Sequence, residues 1–505
     1  MAKIIKDNWG EILFSIALFV IFISFPVQTH TYDGLVYLGD VTSGQLSRLF
    51  HPHHVLYSPL CFLFWQLSKV FSASIEPLQV MRFLGALASV FTCFFVRHTL
   101  LIWRIEKTLS WLLSIFAVLT YGPWRFTSIS EPYALHIMLV SALFFAASRI
   151  GATEDKETSS VGFVTLAVLA TLNMQTAFLF IPSALLLAFW PLGQKRRAIK
   201  TFILYALLTG ASYLICGLLA TKSLSALPAW FGKYAIDQRW WNPAAHKLVI
   251  ALFAASDVFW GRPEVSSLLR VLCSIASLPL FLFIFKFLRH SLKISPIQIR
   301  AIAFALLAQF GLYYQFDAGS PCYWTIVPML TVLLLAIPLS MASKDWKRIV
   351  VLNLAILVLL TMTSVFLIEI RPQSSKANYR PYYRAKHIEK IVGSDTLWVH
   401  GGNLDEQVFL FFTPMKIRSI HDHLLAKQSV ELSTRLTRLR EILLDDLKNG
   451  NVYIYCDLYN GAWSGILGLD NKLISPIKIS SIFGNLKVTA VKRGKKTMLW
   501  KVQKP

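Results

Sequence analysis

The sequence predicts an α-helical polytopic membrane protein with a small α/β domain at its C-terminus, and three observations carry that prediction. Apolar residues fill 55% of the 505 positions and charged residues only 15%, against roughly a quarter charged in an average soluble domain. The mean hydropathy is +0.54, and a chain so rich in Leu, Phe, Ile and Ala needs a surrounding medium that does not penalise them, which is lipid. The apolar runs lie within residues 1–370, and residues 371–505 read as a water-soluble domain.

The net charge of +23 raises the question of nucleic acid. The basic residues, however, stand in short clusters between apolar runs, as orientation signals do in a membrane protein, and no long basic tract with interleaved aromatics occurs. Nucleic acid is therefore not an expected partner. The six cysteines are scattered without a CxxC pair, so the spacing predicts neither a disulfide framework nor a zinc site.

Taken in order, an apolar run at 12–25 follows Lys3 and Lys6 in the manner of a signal peptide. Its exit, Phe25-Pro26-Val27-Gln28-Thr29, lacks a small-x-small cleavage site, which predicts a retained first helix. With a cytoplasmic N-terminus, residues 28–54 lie outside. A spanning segment at 55–71 would put Arg97, Arg104 and Lys107 on the outer side, against the positive-inside bias, so 55–71 is expected along the interface. The same reasoning assigns 247–260, which bears Asp257, to the interface. Eleven spans remain, at 11–27, 77–97, 108–123, 132–150, 161–173, 176–191, 199–221, 266–289, 298–315, 323–342 and 348–370. The pair at 161–173 and 176–191 is short for a hydrocarbon core of about 30 Å and predicts a bend at Asn173-Met174-Gln175. An odd number of spans places the C-terminal domain outside. No internal repeat is visible, which weakens an inverted-repeat transporter reading.

Arg371-Pro372-Gln373-Ser374-Ser375 reads as a linker. Strand-like runs follow at 396–400, 452–456 and 498–502, with a helical pattern over 424–447. Gly401-Gly402 follows a strand, but no GxGxxG completes it, and a plain turn is the better reading.

Chemistry concentrates in the outer loops. Asp33 lies in Thr31-Tyr32-Asp33-Gly34-Leu35-Val36-Tyr37, shortly beyond Pro26. An acid near the membrane surface can stay ionised and serve as a general base or orient a nucleophile; a helix N-cap is the competing reading. A His51-Pro52-His53-His54 turn and Tyr57 come next. Asp-x-x-x-Tyr after the first helix, then a His-Pro-rich turn and an interfacial helix, resemble the GT-C superfamily of polyprenyl-phosphate-sugar glycosyltransferases. Protein O-mannosyltransferases and lipid A aminoarabinose transferases are among its members. The resemblance covers the helical part of the chain.

That resemblance implies a catalytic role for Asp33, with Tyr37 on the matching tyrosine. Gly34 stands where many members carry a second acid, which leaves the acceptor type open. The superfamily places another acid at the start of the fourth span, where Glu131 falls; a helix-terminal cap favoured by the dipole is the alternative. Nearby Arg125 can hold a phosphate or reach the headgroups. The outer stretch 222–262 mixes Trp230, Trp240 and Trp241 with Lys233 and Arg239, which suits a lipid-phosphate headgroup or an interfacial aromatic belt. The candidate set is therefore Asp33 and Glu131 for catalysis, with Tyr37, His53, His54, Tyr57, Arg125, Lys233 and Arg239 against the substrate. Asp317 is expected to be structural. The three histidines show no regular metal-ligand spacing, and no cofactor is expected.

The expected activity is an inverting transfer from a polyprenyl-phosphate-linked sugar to an extracytoplasmic glycan, lipid or protein, in a bacterial inner membrane. A lipid-linked sugar transporter or flippase, and a non-enzymatic scaffold, are the rival classes. A transporter is expected to carry ionisable residues within its spans, whereas most acids here lie in loops or the tail.

Overall fold

The computed structural model describes residues 2–152, 159–232, 246–261, 297–315, 318–340, 344–399, 404–420, 432–455, 484–493 and 496–503. The expected span at 266–289, Lys233, Arg239, Trp240, Trp241, Asp317 and Gly401-Gly402 lie outside the described residues. The chain divides into two compact units, one of Met1–His30 with Tyr37–Ser375 and one of Thr31–Val36 with Lys376–Pro505.

The first unit is helical. Its helices are α1 (Ala2–Ser24), α2 (Tyr32–Ser43, whose start is grouped with the second unit), α3 (Leu46–Leu49), α4 (Tyr57–Ser68), α5 (Pro77–Ile102), α6 (Lys107–Leu119) and α7 (Tyr121–Thr127). They continue as α8 (Tyr133–Ala152), α9 (Ser159–Asn173), α10 (Ile181–Phe189), α11 (Lys195–Thr221), α12 (Leu227–Gly232), α13 (His246–Trp260), α14 (Ile297–Gln315), α15 (Val327–Ser340), α16 (Lys344–Ser364) and α17 (Arg371–Gln373). Six described segments are long and apolar enough to cross a membrane: Pro77–Ile102, Tyr133–Ala152, Lys195–Thr221, Ile297–Tyr314, Pro321–Leu339 and Val351–Gln373. Shorter apolar helices at Trp9–Ser24, Lys107–Leu119, Ser160–Asn173 and Gln175–Phe189 occupy four further expected positions.

Burial separates inner from outer helices. The apolar window of α8 is 67% buried, whereas that of α11 is 17% buried and shows Phe202, Ile203, Leu207 and Ile215 outward. An outward stripe of that kind is at home only against lipid tails, so the chain is an integral membrane protein. Close approach at the centre depends on missing side chains: a β-carbon at Gly85 of α5 would collide with the Thr127 carbonyl, and one at Gly151 of α8 with the Leu187 carbonyl. Small residues at helix contacts are the usual device in lipid, where packing rather than hydrophobic exclusion drives association.

The helix α4 runs for only 12 residues, about 18 Å at 1.5 Å per residue, which is too short to cross the hydrocarbon. Between 161 and 191 the helix breaks where Met174 turns extended, at φ −153° and ψ 116°. The expected linker at Arg371-Pro372-Gln373 is instead helical. The last span passes through a π-helical turn, Val365–Ile370, directly into α17, and Ser374 N–H donates to Ile370 O at 2.8 Å. Pro372 falls in the first turn of α17, where a missing N–H costs no helical bond.

The second unit holds α18 (Arg380–Val392), β1 (Thr396–Val399), α19 (Leu404–Phe412), β2 (Lys416–Ser419), α20 (Leu432–Asn449), β3 (Val452–Tyr455), β4 (Lys487–Arg493) and β5 (Lys496–Gln503). The strand order is β2-β1-β3-β5-β4. The pairings of β1 with β2 and β3 are parallel, and β5 pairs antiparallel with β3 and β4. Both β1 and β3 are buried along their whole length, as strands covered on both faces are. Leu439, Leu443 and Leu447, spaced four apart, bring one face of α20 onto Trp398, Val452 and Ile454. The strands β2 and β4 are not among the expected strands, although Met415 and Ile417 alternate with Lys416 and Arg418, and Leu486, Val488 and Ala490 with Lys487 and Thr489.

Candidate active site

The site is built first from a turn. His54 N–H donates to His51 O at 3.0 Å, closing His51-Pro52-His53-His54 with Pro52 at the position where its fixed φ suits a β-turn. Tyr57 N–H then donates to His54 O at 3.3 Å and opens α4. Against this turn, α2 lays the buried ring of Tyr37, which meets His54 edge-on at 5.5 Å, Tyr57 at 5.7 Å and His51 at 6.0 Å between centroids. Four sequence-predicted residues, Tyr37, His53, His54 and Tyr57, thus gather in one cluster.

A second element holds the turn from the other side. His54 Nδ1 lies 2.9 Å from Asn173 O at the broken end of α9. A carbonyl only accepts, so Nδ1 carries the hydrogen and Nε2 keeps a lone pair. The imidazole is buried, and desolvation is the largest influence on it. Burial, helped by His53, pushes its pKa down to about 3, against the opposing pull of the Asn173 carbonyl. His54 is therefore a neutral hydrogen-bond acceptor at Nε2, a fitting neighbour for a hydroxyl donor.

Glu131 lies in the turn that Asn173 ties to the His54 turn. It is 5% exposed, and its N–H donates to Ile129 O at 2.9 Å in the turn before α8. Burial raises the Tyr57 phenol well above its ordinary range, and Cys61 and then Glu131 add to the shift. Pro132 O accepts both His136 N–H at 2.9 Å, the first helical bond into α8, and Asn173 Nδ2–H at 3.2 Å.

Arg125 occupies the preceding helix, α7. Its Nη1–H donates to Tyr121 OH at 2.7 Å, while its Nε is buried with no hydrogen-bond partner among the described residues. Tyr121 OH also accepts from Gln373 Nε2 at 3.4 Å, and the same amide donates to Glu369 Oε2 at 3.0 Å. A polar chain thus links Glu369, Gln373, Tyr121 and Arg125 along the first unit. Nearby, Arg82 donates to Ser128 O at 3.0 Å, Val27 O at 2.9 Å and Gln28 Oε1 at 3.2 Å, tying the loop after α1 to the loop after α7.

Asp33 stands in the first turn of α2. The residue is exposed, yet desolvation by nearby protein raises its carboxyl above the ordinary aspartate value. It does not cap its own helix: Thr31 Oγ1 accepts the Gly34 N–H at 3.0 Å. Trp230, in α12, donates its indole N–H to Phe50 O at 3.2 Å and serves packing. Among the described residues no three His, Cys, Asp or Glu side chains converge as a metal set would. Sequence reasoning missed Asn173 and Gln175 as contributors, although it located the bend that carries them, and it missed Arg82, Glu369 and Gln373 altogether. Polar side chains inside or beside an apolar run were the available signal.

No family model and no curated protein matches the chain by sequence. Solved structures do match. The chain is similar to ArnT from Cupriavidus metallidurans, a lipid A aminoarabinose transferase, in its apo state, with a TM-score of 0.61 and 12% identity over 98% of each chain. It is equally similar to ArnT bound to undecaprenyl phosphate, with a TM-score of 0.60 and 10% identity over 99% of this chain and 98% of the other. The archaeal oligosaccharyltransferase AglB from Archaeoglobus fulgidus, in complex with an inhibitory peptide and a dolichol-phosphate, matches 99% of this chain and 75% of its own. There the TM-score is 0.51 and the identity 11%. Both are GT-C superfamily members, and the fold of this chain is the GT-C fold.

Proposed function

We propose that the protein is an inverting membrane glycosyltransferase that moves a sugar from a polyprenyl-phosphate donor to an extracytoplasmic acceptor. The observation that carries this reading is the likeness over nearly the whole chain to a transferase crystallised with undecaprenyl phosphate. In this scheme the acceptor group loses its proton to Asp33 as it attacks the anomeric carbon. The bond from that carbon to the phosphate oxygen breaks, and the lipid phosphate departs with the electron pair. Developing negative charge on the departing phosphate is met by fixed donors; Arg125 is the described cation for that role, and Lys233 and Arg239 are its proposed companions. Tyr37, His53, His54 and Tyr57, with Glu131 as the second acid, line the sugar and acceptor. His54 Nε2 is available to accept from a sugar or acceptor hydroxyl. No divalent metal takes part, and the bacterial inner membrane with the C-terminal domain outside is the proposed setting.

The test is Asp33→Asn in purified protein supplied with labelled polyprenyl-phosphate sugars. Transfer is expected to disappear while folding is retained. Because desolvation raises the Asp33 carboxyl above its ordinary value of 3.8, and the base must be ionised, the acidic limb of kcat/KM in the wild type is expected above that value. Near-normal activity in the variant would sink the assignment.

A further inference from the structure

A helix ends by leaving its last carbonyls without helical N–H partners. At the end of α9 three of them in succession are taken by groups from elsewhere in the first unit. Thr171 O accepts from Tyr213 OH at 3.1 Å, Leu172 O from Leu56 N–H at 3.0 Å, and Asn173 O from His54 Nδ1 at 2.9 Å. The extended Met174 then turns the chain so that two amide side chains complete the set. Asn173, whose side chain is fully buried, donates to Pro132 O at 3.2 Å. Gln175 donates through Nε2 to Pro52 O at 2.9 Å and through its N–H to His53 O at 3.4 Å. The turn that carries His53 and His54 and the turn that carries Glu131 are thus both bonded to residues 172–175.

We infer that the broken end of α9 is a positioning element of the proposed transfer site, with Asn173 holding the Glu131 turn and Gln175 holding the His53-His54 turn. The inference rests on the glycosyltransferase reading for its kinetic consequence and on the hydrogen bonds alone for its structural one. Neither residue touches a reacting atom; each acts through the turn it holds. An unbroken helix through 161–191 would have spent these carbonyls internally, and the short apolar segments on either side of the break are the sequence trace of that trade.

The experiment uses the full-length protein in detergent with Asn173→Leu and Gln175→Leu, and Asn173→Ser should the leucine variant fail to express. Each variant is expected to lower kcat about tenfold, equivalent to about 1.4 kcal/mol, while the KM for the lipid donor moves by less than about twofold. In a Glu131→Gln background the Asn173 substitution is expected to add nothing further, since it acts through that turn. Amide exchange by mass spectrometry gives a readout separate from catalysis. Exchange is expected to rise at 51–57 in Gln175→Leu and at 129–136 in Asn173→Leu, and to stay unchanged elsewhere. Unchanged kcat in both variants overturns the inference, as does an exchange increase spread evenly over the helices, which would mark general stabilisers. If the wild type transfers no sugar, the proposed function falls. The exchange pattern alone then decides, a local rise supporting the holding role and no rise overturning it.

Discussion

Acidification places a cost on His54 whose size follows from its surroundings. The ring is buried and its Nδ1–H is committed to Asn173 O at 2.9 Å, so the folded protein resists protonating it until about pH 3, against an ordinary value of 6.5. The unfolded chain takes up that proton as the pH falls through 6.5, and between 6.5 and about 3 the unfolded state binds more protons than the folded one. Stability is therefore complete above 6.5 and is lost progressively as the pH falls. At about pH 5, roughly 1.5 units below the ordinary value, the loss is about 2 kcal/mol at about 1.4 kcal/mol per unit. His54→Asn keeps an N–H donor near the Nδ1 position and removes the titration. Unfolding in detergent micelles, followed by tryptophan fluorescence between about pH 8 and pH 5, should show the wild type losing about 2 kcal/mol more than the variant. The groups near His54, namely His51, His53, His136, Tyr37 and Tyr57, are present in both proteins. Superimposable pH profiles would refute the reasoning.

Two further outcomes follow from side chains already placed. Arg125→Met keeps the apolar stem and removes the charge proposed to meet the donor phosphate. A charge-assisted hydrogen bond is worth about 1.5–3 kcal/mol, so kcat/KM for the lipid donor should fall about 10- to 100-fold, with the loss mainly in kcat, read from initial rates over a donor series. In the second unit, Asp446 is 1% exposed and accepts from Trp398 Nε1 at 3.0 Å, Lys416 Nζ at 2.9 Å and Arg418 Nε at 3.2 Å. Burial alone would raise its carboxyl, but these donors outweigh it and hold the pKa below the ordinary value. Asp446→Ala strands the buried Trp398 N–H, at about 1–3 kcal/mol, and should make residues 376–503 more sensitive to limited proteolysis. The Asp446 contribution is present above the ordinary aspartate value of 3.8 and is lost as the pH falls through its lower folded value.

Periodicity, charge placement and helix-breaking residues are local properties, and what they govern was legible in the sequence alone: the apolar helices, the short α4, the bend at Asn173-Met174-Gln175, and β1, β3 and β5. The positions of Asp33 and Glu131 at helix starts belong to the same class, since both are set by neighbours within a turn. The tertiary structure decided which distant groups satisfy the polar atoms that those local choices leave exposed. His54 and Asn173 are 119 residues apart, and Tyr121 and Gln373 are 252 apart. No pattern within either segment encodes the pairing. A carbonyl orphaned at a helix end, or an amide carried by an apolar helix, announces only that a partner is required inside a medium without water. Packing chose the partner, and with it the tautomer of His54, the support of the Glu131 turn and the chain of contacts behind Arg125.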